Sequence, residues 1–227
     1  MNKNWKVALG VFTGAVLMTA FYLYARKNRL KAIKSRMVSN SIKEWELWGK
    51  SLYDHGKRVD KGATECSAVY QERVGEYWKK GAGRNLDGCD QNVPWSSAFI
   101  SFIMKKSGTG NRFVYASAHN RYIRDSVKKR KAGQTKGGFI GYRLSEKPVE
   151  LADLVCYGRD RNAYYDSDSS YKSHCDVVVK VNKRKREAEV IGGNVSDGVT
   201  KKVISIDKDG YLIDTNNKWF AILKNRF

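Results

Sequence analysis

Apolar positions recur at helical spacing in the first half of the chain and in short dense runs in the second. Ile42, Trp45, Trp48 and Leu52 predict a helix over 41–54, with Ser41 as its N-cap. Val69, Val74 and Trp78 predict a second over 66–80. A Gly/Asn/Asp-rich loop then ends at Val93-Pro94, and WSSAFISFIMKKSG follows. Pro94 marks the entry of this third helix and Gly108 its exit, and Trp95, Ala98, Phe99, Phe102 and Ile103 form its apolar stripe. Residues 116–127 predict a short fourth helix carrying His119 and Tyr122. Beyond residue 138, five runs rich in β-branched and aromatic residues predict strands at 151–158, 175–182, 187–193, 200–207 and 218–224. KRKR at 183–186 and DKDG at 207–210 suit hairpin turns, which makes the strands antiparallel neighbours. The pattern implies an α+β domain with N-terminal helices packed on an antiparallel sheet.

Val7 to Tyr24 carries no charge, close to the ~20 residues that span a bilayer, with Trp5 before it and Tyr22 and Tyr24 at its end. It is followed by Ala25-Arg26-Lys27, with no small-x-small cleavage site, so an uncleaved transmembrane helix is expected over a signal peptide. Residues 1–36 are then a membrane anchor with a basic flank and residues 37–227 the globular domain, in a single-pass membrane protein. The Lys/Arg excess after the span favours a cytoplasmic globular part.

The 227 residues carry 43 Lys+Arg against 23 Asp+Glu, a net charge of +20. The globular part remains basic once the flank is set aside, which serves solubility or an anionic partner such as phosphate, nucleic acid or a cell-wall polymer. No zinc-finger, KH or RNP signature accompanies the basic clusters, so nucleic acid is not the expected partner. HExxH, paired CxxC and EF-hand patterns are missing, as are P-loop and GxGxxG, so neither a metal nor a cofactor is expected. Cys156 and Cys175 fall on strands expected to be neighbours, as a disulfide or as small core residues. Cys66 and Cys89 are a second candidate pair, and Cys89 is also a rival nucleophile.

Candidate chemistry centres on the third helix. It begins at Trp95-Ser96-Ser97, His174 starts a later strand, and Asn194 ends the next one after Gly192-Gly193. A nucleophile at a helix N-terminus, a base on a strand and an orienting polar residue on the neighbouring strand is the order used by papain-like amidases. The helix dipole and its unpaired N–H groups favour negative charge there, and imidazole supplies a base. Helical geometry places Ser96 beside the apolar stripe and Ser97 opposite it, so Ser96 is preferred, although a serine at a helix start also serves as a cap. His119 is the competing base, and Asp176 lies on the same side of its strand as His174.

PWSSAFISFIMKKSG, ASAHNRYI at 116–123, ADLVCYGR, SHCDVVVKV and VIGGNVSDGV resemble, in that order, a domain of unknown function, number 2272, found in bacteria and phages. With the IKEWELWG segment the resemblance spans roughly residues 40–225. It places the domain near the NlpC and CHAP peptidases, which implies a papain-like fold and cleavage of amide bonds in peptidoglycan. Those enzymes open the helix with Asp-Cys-Ser-Gly-Phe-Val, whereas this chain has Trp95-Ser96-Ser97-Ala98-Phe99-Ile100. The expectation is a membrane-anchored peptidoglycan amidase or peptidase with catalytic Ser96, His174 and Asn194. The alternative is a non-catalytic, membrane-tethered module that binds cell wall or another polyanion.

Overall fold

The computed structural model describes residues 31–90 and 92–227, with the isolated positions 18, 19, 24 and 28. Its first continuous element, α1, covers 31–47, across the 36/37 boundary expected between flank and domain. Ile33, Met37, Ser41, Glu44 and Trp48 are buried at intervals of three and four, one face of a helix. Ser41 is therefore an interior position, its hydroxyl donating to the Met37 carbonyl, and the helix already runs at residue 31, ten residues before the apolar pattern places it. It stops at Gly49 and Lys50, both in left-handed backbone, and the expected last turn becomes a strand.

After α1 come β1 (Ser51–Asp54), β2 (Lys57–Asp60) and α2 (Ala68–Glu76), which continues as a π-helix over Tyr77–Ala82. Helices α3 (Ser96–Ser107) and α4 (His119–Lys131) precede β3 (Gly138–Tyr142), β4 (Leu154–Gly158), β5 (Ser173–Asn182), β6 (Glu187–Val195), β7 (Gly198–Ser205) and β8 (Trp219–Arg226). The strands form one sheet in the order β2-β1-β7-β6-β5-β4-β8-β3. The α+β class stands, but the sheet is mixed: β1 runs parallel to β7, and the other pairings are antiparallel. KRKR does turn β5 into its neighbour β6. DKDG also turns the chain back, bridging Ile206 to Leu212 in antiparallel fashion, but β7 and β8 on either side of it are not neighbours, since β8 lies between β4 and β3.

The expected transmembrane helix is corrected. Among the described residues no helix is long and apolar enough to cross a membrane, and the single-pass membrane assignment falls with it. The stretch 7–24 itself lies outside the described residues, apart from Met18, Thr19 and Tyr24.

The main core lies between the helices and one face of the sheet and includes Trp48, Trp78, Trp95, Phe99, Val177 and Ile191. A smaller cluster on Val155, Val178, Val190 and Ile222 takes residues of opposite strand parity, so the sheet is covered on both faces. Helix α3 packs on β5 and β6, and its residues 96–104 are all buried, serines included.

Cys156 and Cys175 stand opposite each other on β4 and β5 and are joined by a disulfide, while Cys66 and Cys89 are exposed thiols. Closing a loop with a sequence separation of 19 is worth about 3 kcal/mol through the unfolded chain. Reduction, or the Cys156→Ser/Cys175→Ser pair, is expected to remove that amount. Urea unfolding with and without reductant measures it.

Candidate active site

The entrance of α3 is pinned from three sides. The Trp95 indole N–H donates to the buried Glu65 carboxylate and stacks on Trp48 at 5.3 Å. From below, Trp95 and Phe99 press directly on Gly193 of β6, where a Cβ would come within 2.7 Å of both rings. Ser96 is thus held at the first turn with 4 % of its surface exposed.

The Ser96 hydroxyl meets His119 at the first turn of α4, Oγ to Nε2 at 2.7 Å. One turn along α4, at the i,i+3 spacing that puts side chains on one face, the Tyr122 hydroxyl bonds the other ring nitrogen, Nδ1. Ser97 Oγ donates to the Ala116 carbonyl at 2.9 Å. With Tyr122 on Nδ1 and Ser96 on Nε2, both ring nitrogens of His119 are engaged, and in the tautomer that carries its proton on Nδ1 the Nε2 lone pair faces the Ser96 O–H, as a general base requires. Burial pushes the Tyr122 phenol well above its ordinary pKa, so it stays protonated. Burial, then the neighbouring His174 and the positive Arg159, push His119 well below 6.5, so its imidazole is neutral at pH 7.

His174 lies beside this pair, its ring 5.0 Å from that of His119, yet both its nitrogens are engaged elsewhere. Nε2–H donates to Asp176 Oδ1 at 3.0 Å, and Nδ1 faces an Arg159 guanidinium N–H at 3.3 Å. Asp176 Oδ2 pairs with Lys202 Nζ at 2.8 Å. His174 and Asp176 are fully buried and Lys202 nearly so. Desolvation, against partial compensation by Asp176, lowers His174 to about 4. Asp176 pays the desolvation penalty but is held well below the carboxylate range by Lys202 and His174.

The structure brings Ser96, His119 and His174 into one cluster, but the hydroxyl meets the histidine of α4, the competing base, and not that of β5 as expected. Asn194 sits in left-handed backbone (φ 54°), in the bulge between Gly192 and Val195, while the orienting contact to His174 comes from Asp176. Arg159 and Lys202 escaped the sequence reading, and Tyr122 was placed beside His119 without a role. The i,i+3 spacing of His119 and Tyr122 was the only signal for one, and Arg159 and Lys202 reach the cluster through strand pairing that no local pattern encodes. Among the described residues no group of three or more His, Cys, Asp or Glu could hold a metal ion.

Gly192 explains how β6 passes beneath the His174–Asp176 pair. A Cβ there would lie 1.9 Å from Asp176 Oδ1 and 2.7 Å from His174 Nε2. Gly192→Ala is expected to force the pair apart and to cost about 3 kcal/mol. A thermal-shift comparison with the wild type measures it.

A model of the family described as "Uncharacterized protein conserved in bacteria (DUF2272)" matches residues 65–225. The chain belongs to the DUF2272 family. No curated protein and no solved structure matches it. The match begins at Glu65, the residue that anchors Trp95, and extends into β8, so every member of the DUF2272 site cluster falls within it.

Proposed function

We propose that this DUF2272 domain is a serine hydrolase of the acyl-transfer class, with Ser96 as nucleophile and His119 as its base. The observation that carries the reading is the 2.7 Å contact between Ser96 Oγ and His119 Nε2. As Ser96 Oγ bonds to a substrate carbonyl carbon, its proton passes to His119 Nε2. The leaving amine or alcohol takes that proton as its bond breaks, and water later releases the acyl group by the same route. Backbone N–H groups at the first turn of α3 face the developing oxyanion. Tyr122 holds the base in its tautomer.

The substrate class rests on the resemblance to NlpC and CHAP peptidases, which suggests amide bonds of peptidoglycan. The excess of cations favours an anionic polymer, and the Cys156–Cys175 disulfide fits the oxidising surroundings in which cell wall is found. The test is covalent labelling by a fluorophosphonate together with muropeptide release from purified cell walls. Labelling at Ser96 with release of soluble product supports the reading. Retention of both in Ser96→Ala overturns it.

A non-catalytic module for an anionic polymer is favoured by a different observation. Arg121, Arg124 and Lys128 line a groove of about 460 Å³ along α4, and among the described residues none of the three forms an ion pair. That reading expects cell-wall retention without product. Retention is expected to fall about tenfold or more in 0.5 M salt and in an Arg124→Glu/Lys128→Glu variant. A co-sedimentation assay reads both.

A further inference from the structure

Arg159 occupies an unusual position. It is the first residue after β4, with its backbone N–H tied to the Lys172 carbonyl at 2.9 Å, and its side chain is exposed. One guanidinium N–H nevertheless reaches the fully buried His174 at 3.3 Å. The side chain thus runs from solvent to the imidazole that lies against the base of the nucleophile.

Its partners do not satisfy it. A guanidinium carries five N–H donors in a planar fork suited to a carboxylate. Among the described residues the fork has one hydrogen-bond partner, a neutral imidazole nitrogen, and lies 6.0 Å from the Tyr157 ring. Among the described residues no carboxylate pairs with it, whereas Arg73, Lys201, Lys202 and Lys224 are each set against an Asp or Glu. Asp176, the nearest acid of the cluster, is already shared between His174 and Lys202.

We infer that Arg159 is a carboxylate-binding subsite beside Ser96 and His119, selecting substrates that carry a free carboxylate close to the scissile carbonyl. This inference rests on the hydrolytic reading of Ser96 and His119 and names the class of substrate for that site. The matching ligand is a peptide or acyl amino acid with an unblocked carboxyl group, not a neutral ester or a capped peptide.

The electrostatics of the base agree. The charges of Arg159 and Lys202 disfavour a proton on His119, whereas the reaction requires that imidazole to become charged in passing. A bound carboxylate offsets Arg159 at the moment the imidazolium forms, so the substrate's own charge removes part of the opposition. Arg159 acts here by contact with substrate, and through its field on His119.

Binding separates this inference from the hydrolytic reading, because it requires no turnover. The probes are N-acetyl-alanyl-glutamate and its diamide, titrated calorimetrically into the full-length Ser96→Ala protein and into Ser96→Ala/Arg159→Gln. The free acid is expected to bind about ten- to a hundredfold tighter than the diamide, and the preference to vanish in the double variant. Arg159→Lys should restore part of it, since an ammonium keeps the charge and loses the fork. Equal binding of the two probes, binding of neither, or a preference that survives Arg159→Gln overturns the inference. Failure of fluorophosphonate labelling at Ser96 counts separately, against the hydrolytic reading.

Discussion

Ser96→Ala is expected to abolish fluorophosphonate labelling and to lower turnover roughly a thousandfold or more, and His119→Ala to do the same to turnover. The double variant should be no worse than either single one, because hydroxyl and base act as one unit. Tyr122→Phe is the more discriminating change. It deletes the partner of His119 Nδ1 while leaving the ring packed, so the imidazole is free to rotate or to change tautomer. Turnover should fall about ten- to a hundredfold, and the buried ring nitrogen left unpaired should cost about 1–3 kcal/mol of stability in a urea titration. The pH profile follows from the neutral imidazole. His119 is lowered well below 6.5, so activity should be flat from pH 6.5 upward and decline only in acid. A His174→Asn variant that lost all labelling, with Ser96 and His119 intact and the fold unchanged, would move the base from α4 to β5.

Acid is expected to destabilise the fold through the second half of the same cluster. His174 has a folded-state pKa of about 4 against about 6.5 in the unfolded chain. Between those values the unfolded state binds the extra proton, so stability is complete above pH 6.5 and falls as pH is lowered towards 4. For a fully buried ring the loss is on the order of 3 kcal/mol. His119, also lowered, adds to it with the same sign. Asp176 has its pKa depressed, so its contribution is present above the ordinary carboxylate range and is lost only at still lower pH. Asp176→Asn at neutral pH leaves Lys202 buried without its counter-charge and gives His174 a neutral amide oxygen in place of a charged acceptor, a change expected to cost about 3–5 kcal/mol. Urea midpoints of the wild type and Asp176→Asn at pH 7.5, 6 and 4.5 check both statements. A wild-type midpoint that does not change between pH 7.5 and 4.5 would contradict the first.

The two halves of the cluster differ in what they can do. Ser96, His119 and Tyr122 form a line of hydrogen bonds that ends at the Ser96 hydroxyl. His174, Asp176 and Lys202 form a closed unit in which every partner is already used, apart from the outward reach of Arg159. Their contact at 5.0 Å places an ion pair behind a base that must gain charge. The unit supports the site from beneath; it does not supply the proton acceptor.

Much of this was legible in the sequence. The α3 helix followed from Pro94, its apolar residues and the glycine exit, because helix signals there are local and mutually consistent. The five strands of the C-terminal half followed from their β-branched runs. The start of α1 did not, because its buried face includes Ser41 and Glu44; Glu44 is acceptable inside only because Arg73 and Tyr77 bond it. β1, β2 and β3 were missed as well. They are short, and β1 takes its place only by pairing in parallel with β7, nearly 150 residues away.

By itself the sequence determined the α+β class, the position of Ser96 at a helix start, the three histidines from which any base must come, and the pair of strands that bring Cys156 to Cys175. Local spacing and strand alternation are enough for such statements, because each depends on residues close together in the chain. The tertiary structure decided that the sheet is mixed, that Ser96 meets His119, and that His174 is committed to Asp176 and Arg159. Those outcomes depend on which nitrogen of which ring is left without a partner once burial has forced every other polar group to find one. That choice is made by packing across the sheet and between two helices, and no periodicity in the chain records it.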